Sequence, residues 1–345
     1  MDNLAHALAS AATSAATHPR ALKKSPKALL LSSAIVANIP DIDILLAALG
    51  QETYHFHHRG FTHSFLGLPF MVVLGALIQR FICRKNPIFT WKDSLIWASS
   101  QLLISHFLLD YLTSYGVMFW YPASFARYAW PMMFIIDPMF WLICAIGLIQ
   151  VWRNLDLPCS RVRAIGFAVF SVMVSWWTII GIAKYKGEKL AFPNEPRQEI
   201  LSFPGPLSPL VWLVVHDHPD GYNSSIISYM TDDEARIIPQ PLDNRYVSDQ
   251  LCSNLSGTPE ADTAYRQYQR WATWTICENT DDGGCHCHSM RYAFNLNAHE
   301  PYFGSVKIKN NGELAFIPPD RKSAGSEFFD RFMFFDVDDA HKASP

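Results

Sequence analysis

Five apolar segments follow one another in the first half of the chain, at residues 28–49, 61–83, 93–113, 134–152 and 162–183. A helix needs about 20 apolar residues to cross the hydrocarbon core of a bilayer. An Ala/Ser-rich run at residues 4–17 also looks helical, but at about 1.5 Å per residue it covers only ~21 Å. We therefore predict an all-α polytopic membrane bundle of four to six helices.

Charge divides the chain into two parts. Residues 1–185 carry 14 Lys/Arg and 8 Asp/Glu, a net of +6, whereas residues 186–345 carry 14 and 23, a net of −9. This division predicts a membrane-embedded domain over 1–185, a Pro-rich linker over 186–209 and a smaller soluble, extracytoplasmic α+β domain over 210–345. It excludes a single soluble domain and a disordered chain, and it argues against nucleic acid as a partner.

Cations between the apolar segments predict the orientation. They are concentrated in three places, before segment 28–49, between 61–83 and 93–113, and between 134–152 and 162–183, whereas the two alternate loops hold one Arg each. Loops rich in Lys and Arg usually remain in the cytoplasm. The N-terminus and the acidic domain should then lie outside, at the periplasmic face.

Cysteines are consistent with this orientation. Four of the seven, Cys252, Cys277, Cys285 and Cys287, lie in the acidic domain. An oxidising compartment would pair them. Neighbours one residue apart bridge poorly, so we expect Cys285 and Cys287 each to pair with Cys252 or Cys277. Metal binding by the segment 285–288 is the alternative.

Alternating and periodic patterns appear in the acidic domain. Residues 210–216 and 224–229 flank His-Pro-Asp-Gly, and residues 305–308 and 314–317 flank Asn-Asn-Gly, so each pair predicts a hairpin. Residues 261–275 look helical, with Tyr265, Tyr268, Trp271 and Trp274 on one face. We interpret this aromatic stripe as a core face.

Ionisable side chains inside the apolar half indicate a functional site. A buried charge in a membrane costs at least a few kcal/mol. The predicted topology nevertheless places several such residues near the outer face, and these are His6, Asp41, Asp43, His58, His63, His106, Asp110 and Asp137. Imidazole and carboxylate groups together suit Zn²⁺, with Mn²⁺ or Fe as alternatives, and argue against a thiolate site.

Local patterns support convergence of these groups. His106 and Asp110 are four residues apart, about one helical turn, and could bind the same ion. Pro40 breaks its segment and lets both Asp41 and Asp43 point inward. Gly60 permits a tight turn between the imidazoles of His58 and His63.

Structural roles compete with this interpretation. His6 alone is consistent with packing or a surface position. Asp41 could cap a helix, as could Asp137, which precedes Pro138. His106 and Asp110 could form a buried hydrogen-bonded pair without metal.

Five blocks, taken in order, resemble the YdjM-like family: Asn-Leu-Ala-His-Ala at 3–7, Pro-Asp-Ile-Asp at 40–43, His-His-Arg-Gly-Phe-Thr-His-Ser at 57–64, Ser-His-Phe-Leu-Leu-Asp at 105–110 and Thr-Ser-Tyr-Gly at 113–116. The Ile-Asp-Pro block at 136–138 fits as well. The resemblance covers roughly residues 1–185. It implies a multi-pass protein of the cell inner membrane, a metal-dependent hydrolase, in a family with some members under LexA control.

That family is thought to be similar to zinc phospholipase C and to zinc-dependent nucleases. The resemblance implies a His-x-x-x-Asp metal-binding pair at His106 and Asp110, with earlier ligands among Asp41, Asp43, His58 and His63. This chain has no clear equivalent of the His-x-x-x-Glu of those enzymes, so we expect one or two metal ions. Asp41 or Asp137 would accept a proton, and Arg59 would hold a phosphate oxygen.

The function expected is hydrolysis of an ester or phosphoester in a lipid-like substrate. One alternative is a non-catalytic membrane scaffold that binds a partner and uses the polar cluster structurally. Another is an ion translocator, which would distribute its groups along the depth of the bundle. A metallopeptidase is disfavoured because the sequence has no His-Glu-x-x-His.

Overall fold

A computed structural model describes residues 1–85, 87, 89–205, 208–218, 221–229, 236–240, 247–248, 251–272, 274–292 and 305–317. The chain divides into two compact units. One comprises residues 1–189 with 202–210, and the other comprises 190–201 with 211–345.

The first unit is helical. Its α-helices are α1 (Asn3–Thr17), α2 (Pro19–Lys24), α3 (Pro26–Asn38), α4 (Gln51–His57), α5 (Leu68–Ile82), α6 (Trp91–Leu102), α7 (Leu108–Tyr111), α8 (Pro138–Arg153) and α9 (Cys159–Ala191). Two 3₁₀ helices, Ile39–Leu49 and Phe61–His63, and one π-helical turn, Leu103–Phe107, interrupt this series. All three interruptions carry side chains discussed below.

Helix α1 lies inside this unit, packed against α3, α6 and α8. Its alanines and serines let neighbouring backbones approach closely, as small residues do in membrane bundles. A Cβ atom at Gly166 of α9 would lie only 2.5 Å from the backbone nitrogen of Ala16. Inside the bundle, Ser14 receives hydrogen bonds from the indole of Trp97 and the amide of Gln101.

Two helical stretches of the described chain are long and apolar enough to cross a membrane, Pro26–Leu49 and Cys159–Ala191. A third exists if Thr53–His63 and Leu68–Ile82, bent by 76°, form one broken span. The expected count of four to six is not confirmed. Serines and a glutamine lower the hydropathy of α6, and α8 has only 16 residues, about 24 Å.

Large apolar side chains on the outside of α5, α8 and α9 are exposed, among them Phe70, Leu77, Leu142, Ile146 and Phe167. A soluble domain rarely exposes so many. These faces are consistent with contact with the lipid bilayer.

The second unit contains most of the β structure. The strands are β1 (Ile200–Gly205), β2 (Ser208–His218), β3 (Gly221–Ser228), β4 (Arg236–Gln240), β5 (Val247–Ser248), β6 (Thr275–Asn279), β7 (Cys285–Ser289), β8 (Ser305–Ile308) and β9 (Leu314–Ile317). They form two small antiparallel sheets, ordered β1-β2-β3-β4 and β5-β6-β7-β8-β9. Both predicted hairpins are present, although the turn at 219–220 lies outside the described residues.

Helix α10 (Pro259–Trp271) is shorter than the predicted 261–275 at its C-terminal end. Tyr265 and Tyr268 are buried, so the predicted core face is confirmed for them. Trp274 lies beyond the helix, where its backbone φ is 56°, and its ring stacks on Tyr222 at 5.5 Å. The expectation that Trp274 continues the helical stripe was wrong, because the chain leaves the helix before it.

Two disulfides join Cys252 to Cys285 and Cys277 to Cys287. The expected pattern, in which Cys285 and Cys287 each pair with an earlier cysteine, is confirmed. Cys83, Cys144 and Cys159 are free thiols.

Candidate metal centre

Four side chains from three distant parts of the chain converge inside the helical unit. Asp41, His63, His106 and Asp110 each offer a ligand atom, and these atoms all lie within 4.8 Å of one another. The Nε2 atom of His63 lies 2.8 Å from Nε2 of His106 and 3.1 Å from Oδ2 of Asp110. His106 Nε2 lies 3.3 Å from the same carboxylate oxygen, so the expected pairing of His106 with Asp110 is present.

His6 joins this group from α1. Its Nε2 atom lies 3.3 Å from Oδ1 of Asp110, and its ring stacks on His106 with centroids 4.1 Å apart. The imidazole of His6 is fully buried. Among the described residues its Nε2 atom makes no hydrogen bond, so a buried acceptor points at the carboxylate group.

Backbone carbonyls orient two of the three imidazoles. His106 Nδ1 donates to the carbonyl of Ala37 at 2.6 Å, and His6 Nδ1 donates to that of Ser105 at 2.7 Å. A carbonyl oxygen only accepts, so both Nδ1 atoms carry the hydrogen. When these rings are neutral, each Nε2 therefore presents a lone pair to the group.

Two successive hydrogen bonds between side chains orient the third imidazole, that of His63. Thr62 donates its hydroxyl hydrogen to Oδ2 of Asp43 at 3.0 Å, so it accepts from His63 Nδ1, 2.9 Å away. The Nε2 atom of His63 then also faces the group as an acceptor. Hydrogen bonds of this kind behind a histidine are typical of metal ligands.

Irregular backbone places these side chains together. Asp41 and Asp43 lie on the 3₁₀ helix that follows α3, and Pro40 stands at its start. His106 lies in the π-helical turn between α6 and α7, and such turns occur frequently at functional sites. The prediction that the chain departs from regular helix at Pro40 is confirmed, whereas the π-helical turn was not foreseen.

The turn before His63 differs from the expectation. The residue with positive φ is Arg59, at 58°, whereas Gly60 has φ −87°. Left-handed backbone is uncommon for arginine and costs of the order of 1 kcal/mol or more. Gly60 is needed for a different reason, because a Cβ atom there would lie 2.7 Å from the carbonyl oxygen of His57.

Arg59 is buried against this His/Asp group. Its NH2 atom lies 3.0 Å from Oδ1 of Asp110, and its NH1 atom donates to Thr113. The amino nitrogen of Met1 contacts the same carboxylate. The expected role of Arg59 in holding a substrate phosphate stays a prediction, and the contact that the structure gives its buried guanidinium is with Asp110.

Asp43 and His58 form a layer behind the group. His58 Nδ1 donates to Asp43 at 2.8 Å, and the backbone nitrogen of Arg59 donates to the other carboxylate oxygen. Asp43 approaches His63 on its Nδ1 side, at 3.6 Å. The geometry thus places these two predicted ligands where they support His63.

Asp137 occupies a different place. It caps α8, accepting from the backbone nitrogen of Phe140 at 2.9 Å and from the indole of Trp176 at 3.2 Å. Within the part of the chain that the structure describes, none of its hydrogen bonds reaches the His/Asp group. The contacts of Asp137 are those of the capping alternative, and its catalytic role stays an untested prediction.

Sequence reasoning missed the residues that orient the imidazoles. Thr62 stands inside the His-Arg-Gly-x-Thr-His-Ser block, which is a signal for its role. The carbonyls of Ala37 and Ser105 carry no side-chain signal, so no residue pattern identifies them.

The fold and the site define a helical membrane protein with a buried His/Asp cluster. A family model described as YdjM inner membrane protein matches residues 1–187, which is more than half of the chain. The chain belongs to this family.

A relative with a curated sequence has been found in Bacillus subtilis (strain 168). The protein described as "Uncharacterized protein YfhP" is 26% identical over 126 residues, which are 36% of this chain and 37% of that protein. The chain thus matches little more than a third of that relative's length. No solved structure matches the chain.

Proposed function

We propose that this protein is a metal-dependent hydrolase of the inner membrane that cleaves an ester or phosphoester in a lipid-like substrate. One observation carries the proposal. Three buried imidazoles, each held through Nδ1, direct their Nε2 atoms at two carboxylates. Without a cation or a proton between them, acceptor atoms this close would repel one another.

The ligand atoms fit a divalent metal. His63, His106 and Asp110 form the core of the group, His6 adjoins Asp110, and Asp41 lies 3.6 Å from His63 and 3.7 Å from His106. Nitrogen and oxygen ligands without a thiolate suit Zn²⁺ first, with Mn²⁺ or Fe as alternatives. Five ligands provide for one ion or two.

The residues around the ion would have distinct roles. A bound metal would lower the pKa of a coordinated water and polarise the scissile bond. Asp110 is held by Arg59 and so would serve as a fixed ligand. Asp41 is the most exposed of the four, with 18% of its side chain accessible, so it would accept the proton of the attacking water.

An apolar groove next to Asp41 supports a lipid-like substrate. The groove has a volume of about 720 Å³, and Asp41 shares its walls with residues from α1, α3 and α5, including Ala7, Ile35, Leu74 and Ile78. Side chains beyond it on the 3₁₀ helix, Ile44 and Leu45, are exposed. A substrate with an acyl chain would reach Asp41 without leaving an apolar surface.

The site and the second unit would lie on the periplasmic side. The distribution of Lys and Arg between the apolar segments supports this orientation. The two disulfides support it as well, because disulfides persist in oxidising compartments.

A non-catalytic scaffold is the second candidate. The contact of Arg59 with Asp110 favours it, because a guanidinium neutralises one carboxylate without any metal. In that case the cluster would hold α1, α7, the π-helical turn and the two 3₁₀ helices together, and the purified protein would contain no stoichiometric metal at this cluster.

Head-group release from phospholipid in mixed micelles tests the activity. The full chain in detergent should release a head group when Zn²⁺ or Mn²⁺ is present and not after chelation. Alanine at His63 or His106 should abolish release, whereas His18→Ala, which removes a histidine outside the cluster whose Nδ1 lies 2.9 Å from the hydroxyl of Thr17, should retain it. Equal turnover in all variants would refute the proposal.

A further inference from the structure

A second group of metal-ligating side chains lies in the other unit. Glu195, Glu199 and His216 each offer one ligand atom, and the three atoms lie within 4.8 Å of one another. His216 is on β2, Glu199 is the last residue of the 3₁₀ turn Arg197–Glu199, and Glu195 lies two residues before that turn. The group thus connects the segment 190–201 to a strand of the same unit.

Distances within this group match ligands around a common ion. The Nε2 atom of His216 lies 3.4 Å from Oε2 of Glu195 and 3.5 Å from Oε2 of Glu199. Ligands at 2.0–2.2 Å from a tetrahedral ion are separated by about 3.3–3.5 Å. Both separations exceed the usual range of a charged N–H···O hydrogen bond, about 2.7–2.9 Å, and they are nearly equal.

The burial and the charge of these three side chains also favour binding of a divalent cation. The side chain of His216 is 7% exposed and lies beside the ring of Phe192, whereas 43% and 45% of the glutamate side chains are accessible. One ligand is therefore anchored in the strand, and two approach from water and leave an entry path for an ion. The two carboxylates balance the charge of a divalent cation.

We propose that Glu195, Glu199 and His216 bind one divalent transition-metal ion, with Zn²⁺ as the best fit to the ligand set. The ion fixes the segment 190–201 to β2 by joining Glu199 to His216, which lies 17 positions further along the chain. This site is separate from the membrane cluster and independent of the proposed hydrolysis. It acts as a structural clip.

Metal stoichiometry tests the site in the full chain in detergent. After chelation and equilibrium dialysis against ZnCl₂, His216→Ala and Glu195→Gln should each bind about one Zn²⁺ fewer than the wild type. Glu313→Gln, which removes an exposed carboxylate paired with Lys309, is the matched control and should bind as the wild type does. His106→Ala removes a proposed ligand of the cluster in the helical unit. Adding His216→Ala or Glu195→Gln to His106→Ala should again lower the zinc content by about one ion.

Trypsin provides a readout that does not depend on activity or on stoichiometry. Cleavage after Arg197 requires the segment to open, and an ion that binds only the closed form lowers the open fraction about elevenfold at ten times its Kd. Zn²⁺ should slow this cleavage about tenfold in the wild type and in Glu313→Gln, but not in Glu195→Gln.

Two results would overturn the second site. One is zinc content in His216→Ala and Glu195→Gln equal to that of Glu313→Gln, and the other is a wild-type cleavage rate that zinc does not change. Either result would mean that His216 and the two glutamates form an ion pair and bind no metal. Loss of head-group release in His106→Ala, with zinc protection of Arg197 retained, would separate this site from the hydrolase.

Discussion

His63 and His106 direct their Nε2 atoms at each other across 2.8 Å, although 43 residues separate them in the chain. A hydrogen bond at Nδ1 fixes each ring, to the hydroxyl of Thr62 for His63 and to the carbonyl of Ala37 for His106. These bonds hold both Nε2 atoms toward each other. Two imidazole nitrogens at this distance need a proton or a cation between them. The hydrolase and scaffold interpretations differ in which of the two is there.

Arg59 should be more important when the metal is absent. Arg59→Gln leaves Asp110 buried without its guanidinium, and breaking a buried pair costs about 3–5 kcal/mol. The metal-depleted variant should melt about 10 °C or more below the wild type, and added Zn²⁺ should recover part of the loss. Thermal unfolding in detergent measures both effects, with exposed Arg84→Gln as control. Equal melting temperatures after chelation would contradict the assigned ion pair.

Asp41 and Asp43 should behave differently although they are two residues apart. Asp43→Asn weakens the support behind His63 and should lower Zn²⁺ affinity about 10- to 100-fold. Asp41→Asn should abolish hydrolysis and leave most of the zinc bound, because four other ligands remain. Zinc titration and turnover, measured on the same preparations, distinguish the two. Identical effects of the two substitutions would show that the proposed division of roles is wrong.

The disulfides predict a defined thiol count. The unfolded, unreduced chain should expose three thiols out of seven, from Cys83, Cys144 and Cys159. Loss of a disulfide should destabilise the second unit by about 2–5 kcal/mol. The 33-residue loop of Cys252–Cys285 should cost about 1 kcal/mol more than the 10-residue loop of Cys277–Cys287. Mass spectrometry after alkylation measures the thiol count, and urea unfolding measures the change in the free energy of unfolding. Seven reactive thiols without reductant would exclude both disulfides.

The proposed orientation predicts which introduced cysteines are accessible from outside the membrane. A membrane-impermeant maleimide should label Glu313→Cys in intact spheroplasts, because this exposed hairpin residue would lie outside. Lys92→Cys, at the exposed start of α6, should label only after permeabilisation. Labelling in the reverse order would invert the topology and place the His/Asp group toward the cytoplasm.

Local patterns in the sequence were sufficient to predict part of the His/Asp group and the disulfide pattern of the second unit. The spacing of His106 and Asp110 predicts their contact because one helical turn brings them together, and Pro40 predicts the break that turns both aspartates inward. The pairing of Cys285 and Cys287 with earlier cysteines follows from the poor geometry of a bridge between near neighbours. Each of these depends on residues close together in the chain.

Other features depend on tertiary contacts that no local pattern encodes. Arg59 binds Asp110 across 51 residues, so its guanidinium cannot be assigned to a substrate from sequence alone. The position of His6 depends on the packing of α1 against the π-helical turn. Asp137 shows the converse case, because its local Asp-Pro pattern already indicated the cap that the structure contains.

Metal content is the most direct test of the central claim. The measurement uses the His216→Ala variant, so that an ion at Glu195, Glu199 and His216 does not contribute to the metal content. This protein is purified in detergent without chelator and analysed by inductively coupled plasma mass spectrometry. It should contain at least about one zinc, manganese or iron atom per chain. In that background His63→Ala and His106→Ala should lose this metal, and His18→Ala should keep it. Metal absent from the His216→Ala protein, or unchanged by loss of His63 and His106, would contradict the metal centre.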